Sequence, residues 1–285
     1  MSPRRGVERC VAAATAAAVA VLAGVGAVPV GAQRVMLEVR PRPGDTLRVI
    51  LEHAMTISGG PRNAPDSMTS YSTTYHIETR DVVQTADANG TIVEAIVDSV
   101  GMRTTGSIGA SPFPGLDRSM QGLRVRLLIA SDGGSRIIDG LTQLDSELRV
   151  ILGATPSVLP QTPVAVGESW TRELPVPSGV STPGTGALRT TFKLDSLTDN
   201  GDRAWISLRG RVELKPDPSP REGTVVSRMT GTLAGTLLLD RRRGWLAESR
   251  ANVTVESVVT LHAGAAPLLV TVRMNQVMRT APPRR

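Results

Sequence analysis

The chain has 285 residues, of which 40% are apolar, 20% are charged and only 2% are aromatic. This balance is typical of a soluble globular protein and excludes a disordered or membrane-embedded chain. The net charge of +6 comes from basic residues that are spread along the whole sequence. Nucleic-acid-binding proteins cluster such residues on one face and add stacking aromatics, so nucleic acid is not an expected partner.

The first thirty-two residues have the pattern of an export signal. Three arginines among the first nine residues precede a long apolar run, which ends in the small residues Val30-Gly31-Ala32. We therefore predict cleavage after Ala32 and a periplasmic or secreted protein. An uncleaved membrane anchor is the alternative, because the run approaches the length of a membrane span. The single cysteine, Cys10, lies inside this segment, so the mature chain is predicted to contain no disulfide.

Most of the remaining chain alternates between apolar and polar residues. In the first such segment one face carries Leu47, Val49, Leu51, His53, Met55 and Ile57. Similar alternation recurs in Ala204–Leu214, Val225–Leu239 and Leu268–Met278. A period of two predicts antiparallel strands with one dry and one wet face, and it excludes a doubly wound parallel sheet.

Turn signals separate these segments. Asn89-Gly90 and Asn200-Gly201 predict tight hairpins, because both residue types tolerate positive φ. One segment differs, since leucine and isoleucine recur at helical spacing between Leu141 and Leu152. This spacing predicts one amphipathic helix near 141–152.

The order of these signals repeats along the chain. Gly44-Asp45-Thr46-Leu47 and Gly167-Glu168-Ser169-Trp170 each open a run that contains an Asn-Gly turn and later an Asp-led turn. We predict one mainly β domain, 33–285, with similar meander halves at about 33–140 and 160–285, joined by the helix and a proline-rich linker. The expected architecture is a curved antiparallel sheet, either a half-barrel or a sandwich. The alternative is that the repeated turns are coincidental in an antiparallel chain.

Three segments carry a resemblance: Leu159–Trp170, Pro43–Leu47, and Gly235–Asp240 with the following Gly244. They are similar, in the same order, to segments of a bacterial family of exported, β-rich proteins of unknown function. The resemblance implies export and a β-rich fold, and it carries no assigned catalytic residues. A more distant, purely architectural likeness is to the half-barrels of periplasmic lipoprotein carriers.

The mature sequence lacks the common catalytic and metal-binding motifs. The mature sequence contains no phosphate-binding loop, dinucleotide fingerprint or zinc-protease motif, and Gly167–Thr171 lacks the final glycine of a nucleophile elbow. The spacing of His53, His76 and His262 does not require them to converge, so no metal site and no cofactor are predicted. His53 belongs to a dry face, where burial should lower its pKa, whereas His76 is predicted on the wet face.

Three functions remain open. The first is a non-catalytic envelope protein whose curved sheet binds a lipid, another apolar ligand or a lipidated envelope partner. Its candidate lining residues are His53, Leu51, Met55 and Met229. The second is a structural or interaction scaffold with a filled core. The third is a hydrolase whose catalytic residues are scattered along the sequence.

Overall fold

The computed structural model describes residues 33–61, 69–106, 120–140, 154–155, 157–175, 184–216, 226–260 and 266–281. Residues Val35–Arg285 form one compact unit. Its strands are β1 Thr46–Pro61, β2 Thr69–Asp87, β3 Gly90–Gly106, β4 Arg124–Ile129, β5 Ser135–Asp139, β6 Ala154–Thr155, β7 Ser169–Pro175, β8 Gly184–Thr198, β9 Arg203–Pro216, β10 Val226–Asp240, β11 Trp245–Thr260 and β12 Leu268–Ala281. The predicted helix near 141–152 and the predicted signal segment 1–32 lie outside the described residues, as does His262.

All twelve strands belong to one antiparallel sheet. Their spatial order is β6-β5-β4-β3-β2-β1-β12-β11-β10-β9-β8-β7. Strands β1 to β6 therefore form one meander and β7 to β12 a second, and the first strand pairs with the last at the centre. The predicted antiparallel sheet made of two meanders is confirmed.

The two faces of the sheet differ as the alternation predicts. Residues that pair directly across antiparallel strands project from the same face, and the face that carries Leu47 and Leu51 also carries Val93, Ile206 and Leu237. We call it the inner face. The opposite, outer face carries ion pairs such as Arg48 with Glu78 and Arg80 with Asp98.

The tight turns gather at one end of the sheet, which we call the near end. They join β2 to β3, β4 to β5, β8 to β9 and β10 to β11. Asn200 has φ +58°, as its predicted hairpin role requires. At the opposite, far end lie the last residues of β1, β3, β5, β7, β9 and β11.

The chain before β1 shows that the sheet is strongly curved. The amide of Val39 donates to Ser131 O, just after β4, and the amide of Arg40 donates to Gly244 O, just before β11, each at 2.8 Å. These two acceptors are five strand spacings apart, roughly 24 Å in a flat sheet. Since their donors are consecutive residues, the acceptors lie within roughly 10 Å of each other. The near end of the sheet is therefore rolled around the segment Val35–Pro41.

A linker segment connects the two edges of the rolled sheet. The carbonyl of Asp132, beside β5, accepts from the amide of Leu159 at 2.9 Å, and the indole Nε1 of Trp170 on β7 donates to Val158 O at 2.8 Å. Val35 and Val164 add a two-way backbone bridge. The near end is thus filled by one hydrophobic core, to which Leu37, Leu159, Phe192, Leu194 and Leu239 contribute fully buried side chains. Within the described residues, no helix is long and apolar enough to cross a membrane.

Candidate functional site

The inner face beyond the core forms rows of side chains that run across the sheet. One row passes through the centre and contains Arg172, Thr190, Gly210, Leu233, Val253, Met274, Met55, Thr73 and Thr104. We call it the Met55 row. The neighbouring row on the near-end side contains Trp170, Phe192, Leu208, Gly235, Ala251, Gln276, His53, Tyr75 and Met102.

The four lining residues expected from the sequence all lie on the inner face. Leu51, His53 and Met55 follow each other on β1 and are half-buried. Met229 is half-buried on β10, three strands away, and its row passes through Gly59 rather than Met55. The three β1 residues are therefore neighbours, whereas Met229 lies farther towards the far end.

The exposure of the inner face changes along the strands. At the near end the side chains are packed, and the rings of Trp170 and Phe192 stack at 5.7 Å with an angle of 11°. In the Met55 row, Leu233, Val253, Met274 and Met55 stand side by side on four adjacent strands, and each is only half-buried. The central part of the inner face is therefore apolar and still partly accessible.

His53 is on this accessible part. Its imidazole ring contacts the phenol of Tyr75, with ring centroids 6.0 Å apart. Burial lowers the pKa of His53 below its usual 6.5, because the charged form loses solvation. His76 lies on the outer face, 4.0 Å from a carboxylate oxygen of Glu52. The two histidines thus project from opposite sides of the sheet.

Two glycines in β10 allow the inner face to bend. A Cβ on Gly235 would overlap the carbonyl oxygen of Arg250, and one on Gly231 would approach Thr254 O to 2.5 Å. Real side chains do not tolerate such contacts, and glycines inside strands mark tight bends and close backbone approaches. Both glycines project from the inner face, in register with Leu233 and Leu237. The curvature of the inner face therefore depends on these glycines, which have no side chain, as well as on apolar residues.

A buried carboxyl group lies on the inner face near the core. Asp81 is 7% exposed, and its Oδ1 accepts from the Thr79 hydroxyl at 2.8 Å. Burial raises the pKa of Asp81 to about 6, and the hydrogen bond from Thr79 offsets part of this effect. Period-two alternation along β2 from Tyr71 to Val83 is the sequence signal that could have identified Asp81 as a residue of the dry face.

An arginine also projects from the inner face. Arg172 alternates with Trp170 on β7, so the same period-two pattern could have identified it. Its Nη2 donates to Leu159 O, while its buried Nε has no hydrogen-bond partner. Thr190, directly opposite on β8, is 0% exposed, and its hydroxyl also lacks a partner. The arrangement places a cation and a hydroxyl group side by side at one end of the Met55 row.

Among the described residues, no three histidine, cysteine or acidic side chains lie close enough together to hold a metal ion. The inner face is thus characterised by aliphatic and methionine side chains, the His53–Tyr75 contact, one buried carboxyl group and the Arg172–Thr190 pair. Such a combination of an apolar surface with few polar groups is typical of ligand-binding concavities.

Together the fold and the site define a strongly curved antiparallel sheet with an apolar, partly accessible inner face. The model of a family of unknown function (DUF6263) matches residues 136–246, which is under half of the chain. The match includes two of the three segments on which the family resemblance was based, Leu159–Trp170 and Gly235–Gly244. Similarity to an uncharacterised family is confirmed, and no curated protein matches the sequence.

Two solved structures are similar over most of this chain. A structure of lipovitellin, described as showing lipid–protein interactions, gives a TM-score of 0.48 at 10% identity and covers 86% of this chain. The chain spans about a quarter of that protein, 26% of its length. DynF from the dynemicin biosynthesis pathway of Micromonospora chersina gives a TM-score of 0.22 at 7% identity, with 89% of this chain and 88% of that one covered. Both TM-scores are too low to support an argument about function.

Proposed function

We propose that the protein is a non-catalytic binding protein that holds an apolar ligand against the inner face of its curved sheet. The observation that carries this proposal is the half-buried state of Leu233, Val253, Met274 and Met55 on adjacent strands. Binding of an apolar molecule to such a face is favourable, because each Å² of apolar surface removed from water stabilises the complex by roughly 25 cal/mol. Methionine side chains suit this role because they adapt to ligands of different shapes.

The first test is binding of a fluorescent apolar probe, 1-N-phenylnaphthylamine, to the purified full chain. Met274→Glu places a charge in the Met55 row and should weaken probe binding at least about tenfold. Asn275→Glu adds the same charge at the next residue, which is exposed on the outer face, and should change the affinity less than about twofold. Equal effects of the two variants, or no binding to the unmodified protein, would favour the scaffold with a filled core.

A second measurement addresses the non-catalytic part of the proposal. Native mass spectrometry of protein purified from its own host should reveal a bound lipid. The same lipid should be recovered chemically unchanged after prolonged incubation with the protein. Accumulation of hydrolysis products would instead support the hydrolase hypothesis.

The proposed location is the periplasm or the medium, with the signal segment removed after Ala32. Support comes from the arginine-rich start, the apolar run and the small residues before Gln33. N-terminal sequencing of the protein recovered outside the cytoplasm should begin at Gln33. A sequence that begins near Met1 would indicate the uncleaved anchor.

A further inference from the structure

Two unusual polar groups are neighbours on the inner face. In the described part of the chain, four buried side-chain atoms lack a hydrogen-bond partner: Tyr71 Oη, Arg172 Nε, Thr190 Oγ1 and Arg241 Nε. Arg172 and Thr190 are directly opposite each other on β7 and β8, whereas Tyr71 lies on β2 and Arg241 in the turn before β11. A buried donor without an acceptor costs about 1–3 kcal/mol, so two adjacent ones need an explanation.

The positive charge of Arg172 makes its unpaired Nε more unusual than an unpaired neutral donor. No carboxylate among the described residues forms an ion pair with it, and its hydrogen bond to Leu159 O satisfies only one of its five N–H donors. Arg172 is half-buried, and a guanidinium group with a buried Nε is normally paired with an anion or another acceptor. Arg172 and the Thr190 hydroxyl therefore offer one charged and one neutral donor that no described residue uses.

The Met55 row changes from polar to apolar with distance from Arg172 and Thr190. Next to Thr190 in the Met55 row is Gly210, and the Thr190 hydroxyl occupies the space above it, only 2.7 Å from where a Cβ would lie. The half-buried Leu233, Val253, Met274 and Met55 follow in the same row. The row extends over six strand spacings from β7 to β1, roughly 29 Å along the curved sheet. One end is thus suited to an anion and the remainder to a hydrocarbon chain.

We propose that Arg172 and Thr190 bind the carboxylate of a long-chain fatty acid, whose tail lies along the Met55 row. The single positive charge matches a single negative charge, and the planar guanidinium group matches the geometry of a carboxylate. This inference rests on the proposed function and specifies its ligand class.

The test compares two probes that differ only in charge, cis-parinaric acid and its methyl ester, by fluorescence titration of the full chain. Arg172→Met should weaken binding of the acid at least about tenfold and change binding of the ester less than about twofold. Arg209→Met is the control, because Arg209 is exposed on the outer face beside Gly210; it should leave the affinities for both probes unchanged.

Thr190→Val provides a second variant that does not remove a charge. It deletes a buried hydroxyl without a partner, so the thermal midpoint of the ligand-free protein should rise. Binding of the acid should nevertheless weaken severalfold, a combination that a purely structural role of Thr190 would not produce. Far-UV circular dichroism shows whether Arg172→Met is folded. If it is not, Arg172→Lys, which keeps the charge but loses the planar fork, should give an intermediate affinity for the acid.

Three outcomes would overturn the inference in different ways. If every variant binds acid and ester alike, the carboxylate anchor is wrong while apolar binding stands. If neither probe binds to the unmodified protein, the proposed function fails as well. If lysophosphatidylglycerol displaces the probe better than palmitate, and only when Arg172 is present, the anchor recognises phosphate rather than carboxylate.

Discussion

The imidazole of His53 and the phenol of Tyr75 face each other across β1 and β2, with their ring planes inclined by 45°. Burial of the imidazole lowers the pKa of His53. The unfolded chain takes up a proton at His53 near pH 6.5. In the pH range just below this value the unfolded state therefore binds more protons than the folded state, and this difference lowers stability as the pH falls.

We expect His53→Leu to reduce the loss of stability on acidification. The free energy of unfolding of the variant should be within about 1 kcal/mol of the original at pH 8. The difference should shift in favour of the variant between pH 7 and pH 5. Urea denaturation at several pH values measures this effect. An NMR titration that gives His53 a pKa of 6.5 or higher would contradict the burial on which the expectation depends.

Asp81 should have the opposite pH dependence. Its pKa of about 6 in the folded protein exceeds the ordinary value of 3.8, so the folded state binds more protons between these values. The contribution of Asp81 to the stability of the folded state is therefore complete below about pH 4, where its carboxyl group is protonated. This contribution is lost as the pH rises through 6. At pH 8 the buried, ionised carboxylate costs up to about 3 kcal/mol.

Replacement of Asp81 by Asn tests this cost. The amide oxygen can still accept from Thr79, so we expect Asp81→Asn to be more stable than the original at pH 8, with little difference at pH 4. Asp98→Asn removes an exposed carboxylate that pairs with Arg80 on the outer face, and should change stability by less than about 1 kcal/mol. A larger effect of Asp98→Asn than of Asp81→Asn at pH 8 would refute the account.

The bend in β10 leads to a third prediction. Gly235→Ala forces a methyl group against the backbone of β11 and should destabilise the protein by about 1–3 kcal/mol. It should also weaken binding of the apolar probe, because the inner face cannot keep its curvature. Gly101→Ala is the control, since its nearest neighbour, His76 Cβ, is 3.9 Å away; it should be neutral. Equal stability of the two variants would show that close approach at Gly235 is not required.

The segment before β1 gives a fourth prediction. Leu37 is 1% exposed inside the near-end core, whereas the adjacent Met36 is 42% exposed. Leu37→Ala should lower the free energy of unfolding by about 2–5 kcal/mol, and Met36→Ala by less than about 0.5 kcal/mol. Thermal or urea denaturation of both variants provides the measurement. Similar small effects would indicate that the segment is not part of the folded unit.

Local patterns predicted those features that depend on one strand or one turn. Period-two alternation placed Leu51, His53 and Met55 on one face, and the Asn-Gly pairs marked hairpins. The two openings of the repeated pattern also make equivalent hydrogen bonds: Gly44 N donates to Val83 O at 2.8 Å and Gly167 N to Leu194 O at 2.7 Å. Such signals are readable because each depends on residues close together in the chain.

Features that depend on distant strands were not predictable in this way. The row occupied by Met229 follows from the register of three successive strand pairs, which no single segment specifies. The filling of the near end by Val35–Pro41 depends on bonds to Ser131 and Gly244, far away in the sequence. Arg172 and Asp81 did alternate onto the inner face, but only the three-dimensional surroundings reveal that Asp81 is buried and that the Nε of Arg172 is buried without a partner.

The pairing of β1 with β12 has a consequence for how the molecule is made. Arg48 pairs with Ala281, so the middle of the sheet is completed only after the eleven strands that precede β12 have been synthesised. Until then, β1 presents an unpaired edge that could pair with other chains. Contacts so distant in sequence form slowly, since the loop must close before they contribute. We therefore expect chains truncated before β12 to aggregate rather than to fold, and chains that contain β12 to benefit from a chaperone that covers this edge until β12 has been synthesised.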